Sequence, residues 1–209
     1  MARILGPKCR VCRREAMKLY LRGTRCEMTA KCPIDRGTTF PGQHGQKRQH
    51  LTDYGVHMRE MQKAKRYYGV SDRQFRRYFR VALGQPGNTG ENLLILLERR
   101  LDNVIYRAEF AVSRTQARQQ VVHGHWRVNG RRVTIPSYGV LSGDVVTPDP
   151  REGSQKLVKE ALSMPAKEEK PSWLKLAKEP PSIEVIQLPA RAEVPIELDE
   201  QLIVEFYSR

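Results

Sequence analysis

The chain has 209 residues, 39% of them apolar, four cysteines and a formal net charge of +14. That length allows one domain or two small ones with a sizeable core. Its longest wholly apolar run, Leu93 to Leu97, is too short to cross a membrane, and no apolar leader precedes Cys9. Residues 1–80 carry 20 Lys and Arg against 6 Asp and Glu, which accounts for the whole excess. Charge concentrated in this way is the footprint of a polyanion partner. A membrane surface is the competing polyanion, but no basic amphipathic helix with a large aromatic face is present.

Cys9, Cys12, Cys26 and Cys32 form the pattern C-x2-C-x13-C-x5-C. Two close thiol pairs joined by a short loop can close a tetrahedral zinc site, and four thiolates also suit an iron–sulfur cluster. Without a secretion signal, metal ligands are expected over disulfides. Lys8, Arg10, Arg13, Arg14, Arg25 and Lys31 surround the cysteines and favour thiolate. A closed four-thiolate shell leaves no open position, so no catalysis is expected there. The Gly-rich, basic stretch from Arg36 to His50 reads as a loop whose Lys47-Arg48 pair can lie on phosphate. Its His44 and His50 read as polar contacts, not ligands.

A helix is expected from Thr52 or Asp53 to about Tyr68, stopped by Gly69. Tyr54, Met58, Met61 and Tyr68 mark its inner face; Arg59, Lys63, Lys65 and Arg66 cover the outside. Ser71-x-x-Gln74 reads as a capping box that starts a second helix to about Leu83. Phe75, Tyr78, Phe79 and Ala82 point inward there, with Arg73, Arg76, Arg77 and Arg80 outward. Aromatics among arginines can stack on unpaired bases, but helical spacing favours core packing. Gln85 to Gly90 is a turn, with Thr89 capping the next helix.

Leu97, Leu101, Val104 and Ile105 recur as one face of an amphipathic helix. Ser113 and Gln116 make an S-x-x-Q capping box, with Ala117, Val121 and Val122 as the inward stripe and Gly124 ending the helix. Arg114 and Arg118 fall on its polar side. Trp126 to Val133 is a hairpin with Asn129-Gly130 at its tip, the pair a type I′ turn prefers. In that register Arg127 faces Arg132, a repulsion that an overlying phosphate would relieve. Further along, strands are expected at Val145–Thr147, Ile183–Leu188 and Val194–Ile196, and helices at Ser154–Leu162 and Asp199–Tyr207. Leu198, Leu202 and Phe206 share one face of the last helix, and Trp173 packs on the sheet. The rest of 151–182 is Lys-, Glu- and Pro-rich and reads as mobile or extended.

Ser113-Arg114, Ala117-Arg118, Val121, Gly124 and Val128-Asn129-Gly130 resemble the S-four RNA-binding module, two helices and a hairpin presenting a basic face to structured RNA. GPKCRVCRRE, FPGQHGQKR, LERRLDNVIYR and LDEQLIVEFYSR extend the likeness to the whole chain, which resembles the bacterial-type fourth small-subunit ribosomal proteins. The resemblance implies a structural protein of the ribosomal small subunit. Such a protein binds 16S ribosomal RNA early, nucleates assembly of the subunit body and contributes to decoding accuracy. It also implies contact with the fifth small-subunit protein, a place near where messenger RNA enters the subunit, and a cytoplasmic, ribosomal location. The terminal helix would pack back on the first helical domain.

The expected fold is α+β: a metal-bound arm over 1–45, a helical domain over 46–98 completed by 193–209, and an S-four-type domain with a small antiparallel sheet over 99–192. Cys9, Cys12, Cys26 and Cys32 are the metal candidates. The RNA candidates are Arg3, Lys8, Arg10, Arg13, Arg14, Arg36, Lys47, Arg48, Arg59, Lys63, Arg66, Arg73, Arg76, Arg77, Arg114, Arg118, Arg127, Arg131 and Arg132. Two other readings carry less. A pseudouridine synthase would use an R-L-D aspartate such as Asp102, but that residue reads as an ordinary exposed helix position and no catalytic domain remains. A zinc-ribbon DNA regulator would need a helix-turn-helix or dimer signature, which is missing.

Overall fold

The computed structural model describes residues 6–46, 50–164 and 171–208. Its architecture is α+β, in two compact units: Met1–Gly90 with Ile196–Arg209, and Glu91–Pro195. Among the described residues are eight α-helices, two 3-10 turns and one five-stranded antiparallel sheet. No helix among them is long and apolar enough to cross a membrane.

The first unit begins with α1 (Lys8–Glu15), which Ala16 ends in a left-handed conformation at φ 53°. A 3-10 turn follows at Gly23–Cys26. In α2 (Asp53–Tyr67) the Thr52 hydroxyl accepts from the Gly55 N–H at 3.2 Å, and Gly69 leaves the helix at φ +63°. The buried stripe of α2 runs through His57, Met61, Ala64 and Tyr67, with Tyr68 buried beside it, whereas Tyr54 is 57% exposed. Tyr54 therefore departs from the expected inner face, and the terminal helix α8 (Glu200–Ser208) packs along α2. Across that contact His57 Nε2 lies 2.7 Å from Glu205 Oε2, and the Tyr54 and Phe206 rings are 5.7 Å apart.

α3 (Asp72–Leu83) buries Phe75, Phe79 and Ala82 and turns Arg73, Arg76, Arg77 and Arg80 to solvent. Tyr207 of α8 stacks on Phe79 at 4.9 Å and on Phe75 at 6.0 Å. Ser71 makes no side-chain cap. Asp72 occupies that end of the helix, taking Arg76 at 2.8 Å and Lys65 at 3.3 Å, so the expected capping box is absent. The inward stripe of α8 is centred on Ile203, fully buried, with Leu202 and Phe206 only half-buried at its sides.

The second unit holds α4 (Thr89–Glu98), α5 (Leu101–Arg107), α6 (Arg114–Val122), α7 (Glu152–Leu162) and the sheet. Asn88, not Thr89, caps α4, its Oδ1 accepting from the Gly90 N–H at 2.9 Å. The single amphipathic helix expected through Leu97 and Ile105 is broken at Arg100, which is extended at φ −66°, ψ 135°. The break exists because the 136–140 connection docks there. Leu101 and Asp102 donate N–H bonds to Tyr138 and Pro136 at 2.9 and 3.2 Å, and Val140 donates to the Arg99 carbonyl at 3.0 Å. Every residue of α5 is buried, so it is a core helix without a polar face.

The strands are β1 (Trp126–Val128), β2 (Arg131–Arg132), β3 (Val145–Pro148), β4 (Leu174–Lys178) and β5 (Pro181–Val185), in the order β2-β1-β3-β5-β4. Arg127 faces Arg132, and Asn129 and Gly130 take φ of 50° and 77°, the two left-handed positions of a type I′ turn. β4 lies within the stretch expected to be mobile or extended, where no strand is anticipated. Its apolar Leu174 and Leu176 alternate with Lys175 and Ala177, a half-buried strand hidden by flanking Lys and Pro. Val194–Ile196 is not a strand; it follows a 3-10 turn at Arg191–Glu193. The core gathers Leu101, Ile105, Phe110, Val121, Trp126, Val146, Trp173 and Ile183, with Phe110 stacked on Trp126 at 5.9 Å.

Trp126 is fully buried at the junction of α6 and the sheet, its indole N–H donating to Gln120 Oε1 at 3.2 Å. Trp126→Ala is expected to cost about 3–5 kcal/mol of stability, read as a shifted urea midpoint. A shift equivalent to less than about 1 kcal/mol would contradict this packing.

Candidate nucleic-acid interface

Helix α6 starts as its sequence requires. The Ser113 hydroxyl accepts from the Gln116 N–H at 3.2 Å, and Gln116 Oε1 reaches back to the Val112 N–H at 2.7 Å. Gly124, at φ +70°, ends it, with His125 donating to the Gln120 carbonyl at 3.0 Å.

Arg114 does not face solvent from this helix. It is buried, donates through Nε to Asn103 Oδ1 at 2.8 Å and lies over the Tyr106 ring at 4.3 Å. Asn103 in turn donates to the buried Glu98 carboxylate at 2.7 Å. Arg118 is half-buried and pairs with Asp102 at 3.2 Å. Asp102 is itself buried, gripped from the other side by Arg100 through contacts of 3.1 and 2.7 Å. It is thus a buried ionic centre and not the exposed helix residue expected. The two arginines expected to share a polar helix face are drawn inward because α5 is buried all round and presents Asp102 and Asn103 to α6.

On the hairpin, Arg127 and Arg132 face one another as the register requires, but the relief comes from within the chain. Arg127 Nε pairs with Asp149 Oδ2 at 3.0 Å, and Arg151 Nε holds the other oxygen at 2.8 Å. Arg151, then Arg127, pull the Asp149 carboxyl down to about 2. Arg132 lies against Gly124 and donates to the His123 carbonyl at 3.1 Å, while Arg151 donates to the Gly124 carbonyl at 2.8 Å. Both cations thus sit on the open carbonyls of the α6 C-terminus. A side chain at Gly124 would place its Cβ 2.1 Å from Arg132 Nε. Burial lowers the pKa of neighbouring His125, whose Nδ1 lies 2.8 Å from the Ser154 hydroxyl. Arg151 was not among the sequence candidates; its signal is the Asp149-Pro150-Arg151 run at the end of β3.

In the first unit, Arg10, Arg14, Arg36, Arg73, Arg76 and Arg77 are exposed, as are Arg131 and Arg132 on the hairpin. Lys8, Arg13, Arg59, Lys63 and Arg66 are half-buried. Arg59 and Arg66 both pair with Glu15, whose side chain is 1% exposed, and Lys63 pairs with Glu60. Arg3, Lys47 and Arg48 lie outside the described residues.

None of the four cysteines is joined in a disulfide. Among the described residues, no group of three or more His, Cys, Asp or Glu is arranged to hold a metal ion, so the metal-bound arm expected from the spacing is not established by this structure. All four nevertheless line one small pocket with Lys8, Lys18, Arg22, Arg25 and Lys31. The Arg22 N–H points at Cys26 Sγ at 3.3 Å. Burial pushes the Cys12 thiol up to about 11, reinforced by the nearby sulfurs, and raises Cys26 in the same way.

This geometry separates arginines that hold the fold from arginines that face solvent. Arg114→Ala is expected to lower stability by at least about 2 kcal/mol, because it leaves Asn103 without its buried donor. Arg131→Ala is expected to change stability by no more than about 0.5 kcal/mol. Equal denaturation midpoints for the two variants would overturn the distinction.

Residues 3–98 match the Ribosomal protein S4/S9 N-terminal domain, and residues 99–146 match the S4 domain. The small ribosomal subunit protein uS4 of Pelotomaculum thermopropionicum and that of Dictyoglomus thermophilum are each 53% identical to this chain over 209 residues, covering all of both sequences. The corresponding protein of Thermodesulfovibrio yellowstonii is 51% identical over the same span. With two family patterns meeting at Glu98 and Arg99 and full-length relatives above half identity, the chain belongs to the uS4 family of small-ribosomal-subunit proteins.

Proposed function

We propose that the chain is a structural component of the ribosomal small subunit that binds 16S ribosomal RNA, nucleates assembly of the subunit body and contributes to the accuracy of translation. The observation that carries this reading is the full-length identity to uS4 proteins, and uS4 is a family of structural proteins, not enzymes. The placement of the cations supports it. Arg73, Arg76 and Arg77 line the solvent side of α3, and Arg131 and Arg132 the edge of the hairpin, where they can meet phosphate without unfolding anything. Arg10, Arg13, Arg14 and Arg36 extend the same surface chemistry into the arm, and Arg118 and Arg127 sit at the boundary, half-buried and already oriented. Arg114 acts behind this surface, fixing α6. The fifth small-subunit protein and messenger RNA are the further partners this assignment entails, on the cytoplasmic ribosome. The functional division is an arm over 1–45, a helical domain over 46–98 with 193–209, and an RNA-binding domain over 99–192.

We further propose that Cys9, Cys12, Cys26 and Cys32 hold one zinc ion with a structural role. Four sulfurs lining one pocket, a backbone N–H aimed at Cys26 Sγ and five surrounding cations form a donor set suited to a dianionic tetrathiolate. A bound zinc would keep the thiols deprotonated and tie α1 to the loops that follow it.

Affinity for purified 16S ribosomal RNA is expected to fall at least about a hundredfold between 50 and 200 mM salt in a filter-binding titration. A flat titration, or no binding at low salt, would overturn the reading. Elemental analysis of the purified chain is expected to give one zinc per molecule, lost when Cys9 and Cys12 are both changed to Ser. Iron with visible absorbance would replace zinc by a cluster, and a metal-free native protein would end the proposal.

A further inference from the structure

A cavity of about 390 Å³ opens in the first unit between the end of α1, the 40–45 loop and α2. That volume lies at the lower end of the range of small-molecule pockets. Its walls are mostly apolar, with Ala16, Phe40, Pro41 and Leu51 among them, and Arg14, Arg59 and Lys63 stand around it. Phe40 is 41% exposed, an aromatic face left uncovered beside a hole. The cavity carboxylates are already engaged: Glu15 by Arg59 and Arg66, Glu60 by Lys63. They orient the cations without offering a free negative charge to a phosphate.

The loop that presents Phe40 is built for this shape. Gly42 takes φ +111°, and a Cβ on Gly45 would lie 1.9 Å from the Phe40 carbonyl oxygen. Backbone therefore passes directly over backbone, and the Gly45 N–H closes the turn on the Gly42 carbonyl at 3.2 Å. No side chain larger than hydrogen fits at position 45 without moving the wall of the cavity. The backbone of Phe40 is thus held from behind, and the residue lines the cavity while staying partly exposed.

We propose that this cavity takes one unstacked nucleobase of the ribosomal RNA, stacked on Phe40 and Pro41, with its flanking phosphates on Arg14 and Lys63. The inference rests on the RNA-binding reading above and adds a site that reads a base where the exposed arginines meet only backbone. An apolar slot with an aromatic wall and a cationic rim matches an extruded nucleotide on both its faces: the ring enters, and the charged backbone stays outside.

The test uses the full chain and purified 16S ribosomal RNA. Ultraviolet irradiation of the complex followed by mass spectrometry is expected to give a nucleotide cross-linked to Phe40 or its immediate neighbours. Phe40→Ala and Phe40→Leu are expected to weaken binding about tenfold, and Phe40→Trp to keep it, because stacking needs an aromatic face. The slope of affinity against salt is expected to stay unchanged in the Phe40 variants, since stacking releases no counterions, and to fall by about one in Arg14→Ala. Wild-type binding with no cross-link in 39–45, or Phe40→Ala within twofold of wild type at every salt concentration, overturns the cavity proposal while leaving RNA binding standing. Should Phe40→Ala lose helicity, the wild-type cross-link alone decides. No binding by the wild-type chain overturns both readings.

Discussion

Among the described residues a buried carboxylate is held between two arginines at Glu15, Asp102 and Asp149, and the placement of basic side chains in each unit depends on it. Glu15 takes Arg59 and Arg66; Asp102 takes Arg100 and Arg118; Asp149 takes Arg127 and Arg151. The three carboxylate side chains are 1%, 6% and 5% exposed. A chain with 37 basic and 23 acidic residues must fold against its own repulsion. Each of these acids neutralises one charge, fixes two guanidinium groups and leaves the cluster still positive. Arginine suits the role because its rigid fork can meet a carboxylate edge through two N–H groups and keeps its charge when buried.

Asp102 does the most, because its clamp coincides with the break between α4 and α5. The first N–H groups of a helix need acceptors. Here the carbonyls of Pro136 and Tyr138 serve, so the loop after the hairpin is pinned to the start of α5. Arg100, extended at the break, folds its side chain back onto Asp102. From the same short helix Asn103 links Glu98 to Arg114, and Arg118 reaches Asp102 from α6. One seven-residue helix thereby sets the orientation of α6, and the Schellman turn at its end sets where the hairpin begins. Removing a charge from such a centre leaves another buried and uncompensated, which is costlier than losing a surface pair.

The elements written in local patterns were legible in the sequence. Thr52, Ser113 and Gly124 mark helix ends, and Asn129-Gly130 fixes the hairpin register, because each acts through the backbone within a few residues. The α+β class and the existence of a terminal helix were legible through period and length, whereas its packing on α2 was implied by the family resemblance alone. What escaped was decided at long range. The split at Arg100 is imposed by residues nearly forty positions later; β4 is a strand only because β5 pairs with it; and the burial of Arg114 follows from α5 having no polar face. Charge was the least transparent signal. An arginine at a helix-surface spacing looks the same whether it meets solvent or a buried partner, and only the positions of Glu98, Asp102 and Asp149 in space separate the two. The cavity beside Phe40 was equally hidden, since it needs the close approach of Gly45 to a carbonyl five residues earlier.

The clamped arginines also bear on how such a protein meets a structured polyanion. A free arginine loses rotamer freedom when it contacts phosphate, a cost of order 1 kcal/mol per side chain that recurs at every contact. Arg118 and Arg127 have already lost much of that freedom to Asp102 and Asp149, so they are pre-oriented, while Arg131 of the same unit is left to adapt. A surface of both kinds combines fixed points that set register with mobile points that follow the irregular phosphate path of folded RNA. The clamped arginines belong to the ion-pair networks of the second unit, so on the proposed reading their orientation toward RNA would be set by the same interactions that set the fold. The basic surface and the stability of the chain are therefore coupled through the acids, which never need to touch the RNA themselves.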